Sequence, residues 1–208
     1  PDLPMMSANL REVQTEMENT VRIAILGAGN IGTSIARGLA QAGNFTPGMI
    51  TLTRRRTHLL EEYKAMGFEV TSDNPAAVKG ADVVIVAVEP QRVDTLLQEI
   101  APALDFDRHI LISVVTGLAI KRIEEVIGKP LRIARAMPNT AIAVRESMTC
   151  LASNGPDDRA LEMARRIFND VGKTLRIREE DMIAATALGA CGIAFFLRAI
   201  RAASQGGI

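Results

Sequence analysis

Three glycines carry the first chemical signal in this chain. Gly27, Gly29 and Gly32 stand at G-x-G-x-x-G spacing inside Val21–Gly32, Val-Arg-Ile-Ala-Ile-Leu-Gly-Ala-Gly-Asn-Ile-Gly. An apolar, strand-like run leads into them, and a helix-like run, Thr33–Ala42, follows. In that context each glycine has its own task. Gly27 permits a tight turn out of the strand. Gly29 lets a pyrophosphate approach the backbone with no Cβ in the way. Gly32 lets the helix pack closely on the strand. The helix N-terminus then offers free N–H groups to the anion. The expected ligand is a dinucleotide.

Which dinucleotide is read further along. A free ribose 2′-hydroxyl is usually held by an Asp or Glu about 20 residues beyond the glycines. No carboxylate occurs from Asn19 to Leu60; Arg54, Arg55 and Arg56 stand where the acid would sit. A guanidinium binds a 2′-phosphate bidentately, whereas a carboxylate repels it. The expected cofactor is therefore NADP(H). Arg54, beside Thr53, is the principal expected contact, and Arg56 suits solvent equally well.

Nicotinamide chemistry needs the ring pinned on one face and the substrate on the other, within hydride reach. Met137-Pro138-Asn139-Thr140 is placed for that work. Pro138 fixes a turn, and Asn139 offers a donor and an acceptor to the ring amide or the ribose. A plain turn asparagine is the alternative. No metal site is legible, because His58 and His109 stand alone and Cys150 and Cys191 form no C-x-x-C pair. The 208 residues carry 24 Lys+Arg against 24 Asp+Glu, with no Trp. That balance gives no basic surplus for nucleic acid or an anionic membrane, and no stacking platform for bases. Two isolated cysteines suit a cytoplasmic location, and residues 1–20 do not read as a signal peptide.

The elements that must position these residues follow in order. Met49–Thr53 reads as a second strand, Thr57–Met66 as a helix and Phe68–Val70 as a short strand. Asn74–Lys79 reads as a short helix with Asn74-Pro75 as its start signal. Ala81–Val88 is apolar throughout, as a strand buried on both faces must be. Gln91–Ile100 is helical, His109–Val115 a strand, Leu118–Ile127 a helix and Leu131–Met137 a strand. This alternation predicts βαβ units, an α/β Rossmann-type doubly wound parallel sheet. Ligands of such sheets lie at the carboxyl ends of the strands. Gly27–Gly32, Thr53–Arg56, Val88–Gln91, Ser113–Gly117 and Met137–Thr140 should line that crevice.

Beyond it, Ser147–Ala152 reads as a strand, Asp157–Val171 as a helix and Gly172–Ile177 as a strand. Glu179–Gln205 is one long helical stretch, apolar nearly all round, which must be buried by other helices or by a partner chain. The expected division is an N-terminal extension without fixed structure over 1–19, an NADP-binding domain over 20–178, and over 179–208 the first helix of an incomplete all-helical dimerisation domain. The chain is read either as cut short of that domain or as covering the helix by dimerising. The longest strongly apolar runs are strand-sized, so no membrane-spanning helix is expected.

With those residues in hand, the sequence resembles the pyrroline-5-carboxylate reductase family. The resemblance rests on Ile25–Gly32, on Ala87-Val88-Glu89-Pro90-Gln91, on Met137-Pro138-Asn139-Thr140-Ala141 with Ser147-Met148-Thr149, and on Thr186-Ala187-Leu188-Gly189-Ala190-Cys191-Gly192-Ile193-Ala194. It implies hydride transfer from NADPH to the C=N carbon of 1-pyrroline-5-carboxylate, giving proline. By position it implies a cofactor site of Leu26, Gly27, Ala28, Gly29, Asn30, Ile31, Gly32, Thr53, Arg54, Arg55, Asn74, Ala87, Val88, Glu89, Pro90, Val114, Val115, Thr116 and Asn139. It places Glu179 or Glu180, Thr186 and Cys191 on the substrate side, and it implies a homodimer or higher homo-oligomer through the C-terminal helix. A protonated imine is already polarised, so the site mainly orients it.

Several positions depart from the family pattern. Glu89 stands for Lys and Ala141 for Pro, while Gly189, Ala190, Cys191 and Ile193 stand for Ser, Gly, Ser and Pro. The family's Ser-Pro-Gly-Gly-Thr-Thr carboxylate clamp has no counterpart in the 208 residues. These departures leave open a catalytically inactive NADP-binding regulator or subunit of the same ancestry. A 2-keto or β-hydroxy acid as substrate would need an acid–base group on the long helix, and Asp181–Ile208 contains no Lys or His.

Overall fold

The computed structural model describes residues 21–155 and 159–207. The expected extension at 1–19 and the expected helix start at Asp157 lie outside them. Eight strands form one sheet in the order β3-β2-β1-β4-β5-β6-β7-β8. They are β1 (Ile23–Leu26), β2 (Ile50–Thr53), β3 (Glu69–Thr71), β4 (Val83–Val86), β5 (Ile110–Ser113), β6 (Arg132–Met137), β7 (Ser147–Ser153) and β8 (Gly172–Arg176). The first six pair in parallel, β7 runs antiparallel to β6, and β8 is parallel to β7.

The sequence dictates which strands are central. All four residues of β1 and all four of β4 are buried, so these apolar runs have helices on both faces. Each such Val, Leu or Ile side chain contributes ~1.5–3 kcal/mol by leaving water. The side chains divide into two layers. Ile23, Ile25, Ile85 and Ile112 face one side. Ala24, Leu26, Val84, Val86 and Leu111 face the other.

Helices α1 (Asn30–Ala42), α2 (Glu61–Ala65), α3 (Asn74–Lys79), α4 (Val93–Ile100), α5 (Ile120–Ile127) and α6 (Arg159–Asn169) flank the sheet. Gly43 ends α1 and Gly128 ends α5, both with positive φ, the αL stop that glycine adopts without a steric penalty. Asp73, not Asn74, caps α3, its carboxylate accepting the Ala76 N–H at 2.8 Å. Expected and observed strands agree to within two or three residues at each end, the usual fraying.

The C-terminal stretch differs more from expectation. It is not one uniform α-helix. A 3-10 turn over Glu179–Asp181 leads into α7 (Met182–Thr186), a π-helix over Ala187–Gly192, and α8 (Ile193–Gly206). Only Met182 is buried, packed with Met137 and Ala152 under the β6–β7 face. Ile183, Leu188, Phe195, Phe196, Leu197 and Ile200 are each more than half exposed. Nothing among the described residues covers this face, contrary to the burial that the composition demands. Glu179–Gly206 is also long and apolar enough to cross a membrane by length and composition, with a mean hydropathy of 1.9 over its best window. That corrects the expectation of strand-sized runs only: the four short segments join into one 28-residue helical rod.

Candidate functional site

The glycine turn has the geometry its spacing predicts. Gly27 sits at φ +98°, and a Cβ there would come within 2.7 Å of the Ala87 carbonyl oxygen. A Cβ on Gly32 would lie 2.5 Å from the Gly27 carbonyl oxygen. Gly29 is the opposite case: a Cβ would meet nothing within 4 Å. Two of the glycines are thus required by the protein's own packing, and the third faces open space at the helix start. No side chain caps α1, and no acidic residue occupies its first turn. This is a cradle for an anion at a helix N-terminus, and it fits a dinucleotide pyrophosphate.

The second strand is tied directly to the turn. The Thr53 carbonyl accepts from Gly27 N–H at 3.3 Å and from Ala28 N–H at 2.8 Å. Its hydroxyl accepts from Gly27 N–H at 3.3 Å and donates to Asn74 Oδ1 at 2.6 Å. Thr53 is 2% exposed, so it braces the turn from below. Arg54 reaches back across it, Nη1 donating to the Ala28 carbonyl at 3.2 Å. Arg55 and Arg56 are exposed, with no side-chain hydrogen bond or ion pair among the described residues. The structure therefore brings Arg54, and not the other two, against the glycine turn.

The other crevice segments meet at the same strand ends. Ala87 N–H donates to the Leu26 carbonyl at 2.8 Å, and Val114 N–H to the Val86 carbonyl at 3.0 Å. Leu26 and Val115 are buried, so their side chains present nothing to the crevice and serve as its floor. Ala28 is likewise buried, while Asn30 is exposed and Ile31 and Val88 are half-buried. Glu89 and Pro90 are exposed, and Glu89 faces Arg92 at 3.5 Å. The reversed charge at Glu89 thus has a cation beside it. Pro90, Gln91, Val93, Asp94 and Val115–Leu118 line a cleft of about 370 Å³ between the loops after β4 and β5.

Asn139 is 5% exposed. Its Oδ1 accepts from Ala141 N–H at 3.0 Å, and its N–H donates to Ser147 Oγ at 3.2 Å. Its acceptor is spent capping the 3-10 turn Thr140–Val144, which is the turn-asparagine role. Only Nδ2 is left without a partner among the described residues.

The substrate-side residues are engaged within the protein to different degrees. Glu179 Oε1 accepts from Ile120 N–H at 2.7 Å and from Arg135 Nη1 at 3.1 Å. It caps α5 and pairs with a guanidinium whose side chain is 6% exposed. Only one of its oxygens is held this way, and Glu179 also lines a cleft of about 520 Å³ with Ser153, Gly155, Arg176, Ile177 and Arg178. Glu180 pairs with Arg178. Thr186 donates its hydroxyl to the Met182 carbonyl at 2.7 Å, so that donor is consumed within the helix. Cys191 is exposed and unpaired, and it lies in the π-helix rather than in a loop. Cys150 is also unpaired, and partial burial raises its thiol pKa above the ordinary value.

Two residues that position this region were missed. Arg135 had one visible signal, a cation set between apolar residues at an inner position of β6. Glu99 had none. It lies on the exposed face of α4, where a Glu is ordinary, and only the fold brings both its carboxylate oxygens to 3.2 Å from Asn74 Nδ2. No group of three or more metal-ligating side chains occurs among the described residues.

Fold and turn together define a nucleotide-dependent oxidoreductase of the Rossmann class. The family described as NADP oxidoreductase coenzyme F420-dependent matches residues 22–117. Pyrroline-5-carboxylate reductase 1 of Dictyostelium discoideum is 46% identical over 197 residues, which are 89% of this chain and 36% of that protein. Pyrroline-5-carboxylate reductase 2 of the same organism is 42% identical over 211 residues, 94% of this chain and 70% of that one. Among solved structures, Plasmodium falciparum pyrroline carboxylate reductase with NADP bound superposes with a TM-score of 0.79 at 26% identity, covering 91% of this chain and 70% of its own. The chain belongs to the pyrroline-5-carboxylate reductase family of NAD(P)-dependent oxidoreductases. It spans about a third of the first of these relatives and 70% of the other two.

Proposed function

We propose that this chain binds NADPH and serves the reduction of the C=N bond of 1-pyrroline-5-carboxylate to proline. The observation that carries the cofactor reading is Gly29, open above an uncapped helix start, between two glycines that the packing itself requires; the reaction is supported by the likeness to pyrroline-5-carboxylate reductase 2 of Dictyostelium discoideum. Residues 20–178 are the NADP-binding domain and 179–208 begin the helical domain. Leu26–Gly32, Thr53–Arg55, Asn74, Ala87–Pro90, Val114–Thr116 and Asn139 surround the cofactor. Of these, Leu26 and Val115 act as floor, and Asn139 acts through its Nδ2.

NADPH supplies the hydride. The chain's own residues hold and orient: backbone N–H groups at the start of α1 take the pyrophosphate, and Arg54 takes the 2′-phosphate by turning from the Ala28 carbonyl. The free cysteines suit a reducing, cytoplasmic setting.

A titration of NADPH fluorescence tests the cofactor assignment. Arg54→Asp puts a carboxylate where a dianion binds, so affinity for NADPH should fall about 10–100-fold, ~1.4–3 kcal/mol, with NADH affected less. Equal loss for both cofactors would remove Arg54 from the 2′-phosphate. NADPH oxidation with pyrroline-5-carboxylate beside a panel of 2-keto acids tests the reaction. A non-catalytic NADP-binding subunit is the second reading. It is favoured by the engagement of Glu179 and Thr186 within the protein, and binding without turnover on any of these substrates would select it.

A further inference from the structure

We infer that Glu99 is a positioning residue for the nucleotide site, acting through Asn74 and Thr53 on the glycine turn; this rests on the NADPH reading above. The observation is a hydrogen-bonded chain from the surface of α4 to the first glycine. Both carboxylate oxygens of Glu99 lie 3.2 Å from Asn74 Nδ2. Asn74 Oδ1 accepts the Thr53 hydroxyl at 2.6 Å. The same hydroxyl accepts from Gly27 N–H at 3.3 Å.

The chemistry gives each link a direction. An Asn amide is nearly symmetric in shape, and only its neighbours decide which end is N and which is O. A carboxylate accepts and cannot donate, so Glu99 forces the NH₂ end toward itself and the carbonyl end toward Thr53. A carbonyl in turn requires the Thr53 hydroxyl to donate to it. That leaves the hydroxyl's lone pairs for Gly27 N–H. With Glu99 removed, only the Thr53 hydroxyl still orients the amide: a half-turn leaves that buried hydroxyl proton without its acceptor, a cost that disfavours the flipped form but without the second bias from the carboxylate. In the flipped form the second amide proton of Asn74 and the free lone pair of its carbonyl oxygen exchange places. A ribose facing Asn74 would meet the wrong partner in a fraction of the molecules, and binding would have to re-order the amide each time.

A plain tether between α3 and α4 would use the same Asn74–Glu99 contact, so the test separates the two roles. NADPH affinity is measured by fluorescence titration for the wild-type chain, Glu99→Gln, Glu99→Leu, Asn74→Ala and the double variant Glu99→Leu/Asn74→Ala, with the melting temperature of each. Glu99→Gln can present either its oxygen or its NH₂ group to Asn74, so it orients the amide only in part and should bind between wild type and Glu99→Leu. Glu99→Leu should bind about three- to tenfold more weakly, the size expected for an exposed charge-assisted hydrogen bond. In the Asn74→Ala background Glu99→Leu should have no further effect on affinity, since the amide it orients is gone.

Unchanged affinity in Glu99→Leu overturns the inference. So does an equal loss with and without Asn74, or a fall in melting temperature with affinity retained, which is the tether. A wild-type chain that binds no NADPH overturns the cofactor reading and this inference together, whereas normal wild-type binding with an indifferent Glu99 overturns only the latter.

Discussion

At Gly27 and Gly29 the same residue type does opposite work, and substitution should separate the two. Gly27→Ala must hold a Cβ at φ +98° and 2.7 Å from the Ala87 carbonyl oxygen. Left-handed strain and overpacking together should cost about 2–4 kcal/mol of stability, read as a lowered midpoint in denaturant unfolding. Gly29 sits at φ −88° with nothing within 4 Å of a Cβ. Gly29→Ala should therefore unfold like the wild type, while its methyl group stands where a phosphate would approach and weakens NADPH binding about tenfold, ~1.4 kcal/mol. A Gly29→Ala variant with unchanged affinity would show that the pyrophosphate does not pass over this residue. Both tasks were legible from the three-glycine spacing. The partners of Gly27 were not, because Ala87 lies sixty residues away in sequence and reaches it only through the β1–β4 pairing.

Among elements, the junction of the sheet with the C-terminal helices combines the buried Met182 with one carboxylate. Glu179 joins the N-terminus of α5 through Ile120 to β6 through Arg135. Removing the cation leaves a part-buried acid beside a helix N-terminus that still attracts it. Arg135→Met should cost about 1–3 kcal/mol. Glu179→Gln should cost less, since its amide oxygen still accepts the Ile120 N–H. NADPH affinity should be retained in both, because neither group touches the glycine turn. If Glu179→Gln instead abolished turnover with stability and NADPH affinity intact, that would assign Glu179 the substrate-side role expected from the sequence. The strands of the Rossmann half were readable from apolar runs alone. The change from α to π and back to α geometry along Met182–Gly206 was not, since these three segments are all built mainly of small and apolar residues.

For the molecule as a whole, the question is what meets the exposed Phe195, Phe196 and Ile200 of α8, each about two-thirds exposed or more. A second copy of the chain is the proposed occupant. Sedimentation at micromolar concentration should show a dimer, and Phe196→Asp with Ile200→Asp should return a monomer that still binds NADPH. A monomeric wild type that floats with phospholipid vesicles would assign the rod to a membrane instead. The sequence by itself determined the doubly wound sheet, the dinucleotide turn and the carboxylate-free approach to Arg54. Those features are written in local spacing: period, glycine offsets, and the sign of charge within one βαβ unit. Only the tertiary structure decided that Arg54 alone meets the turn, that one oxygen of Glu179 is held by Arg135 and the start of α5, and that Glu99 stands behind Asn74. Each depends on which side chains come within hydrogen-bond reach across 20 to 60 residues of chain, and hydrogen bonds form across space between groups whose sequence neighbours give no sign of them.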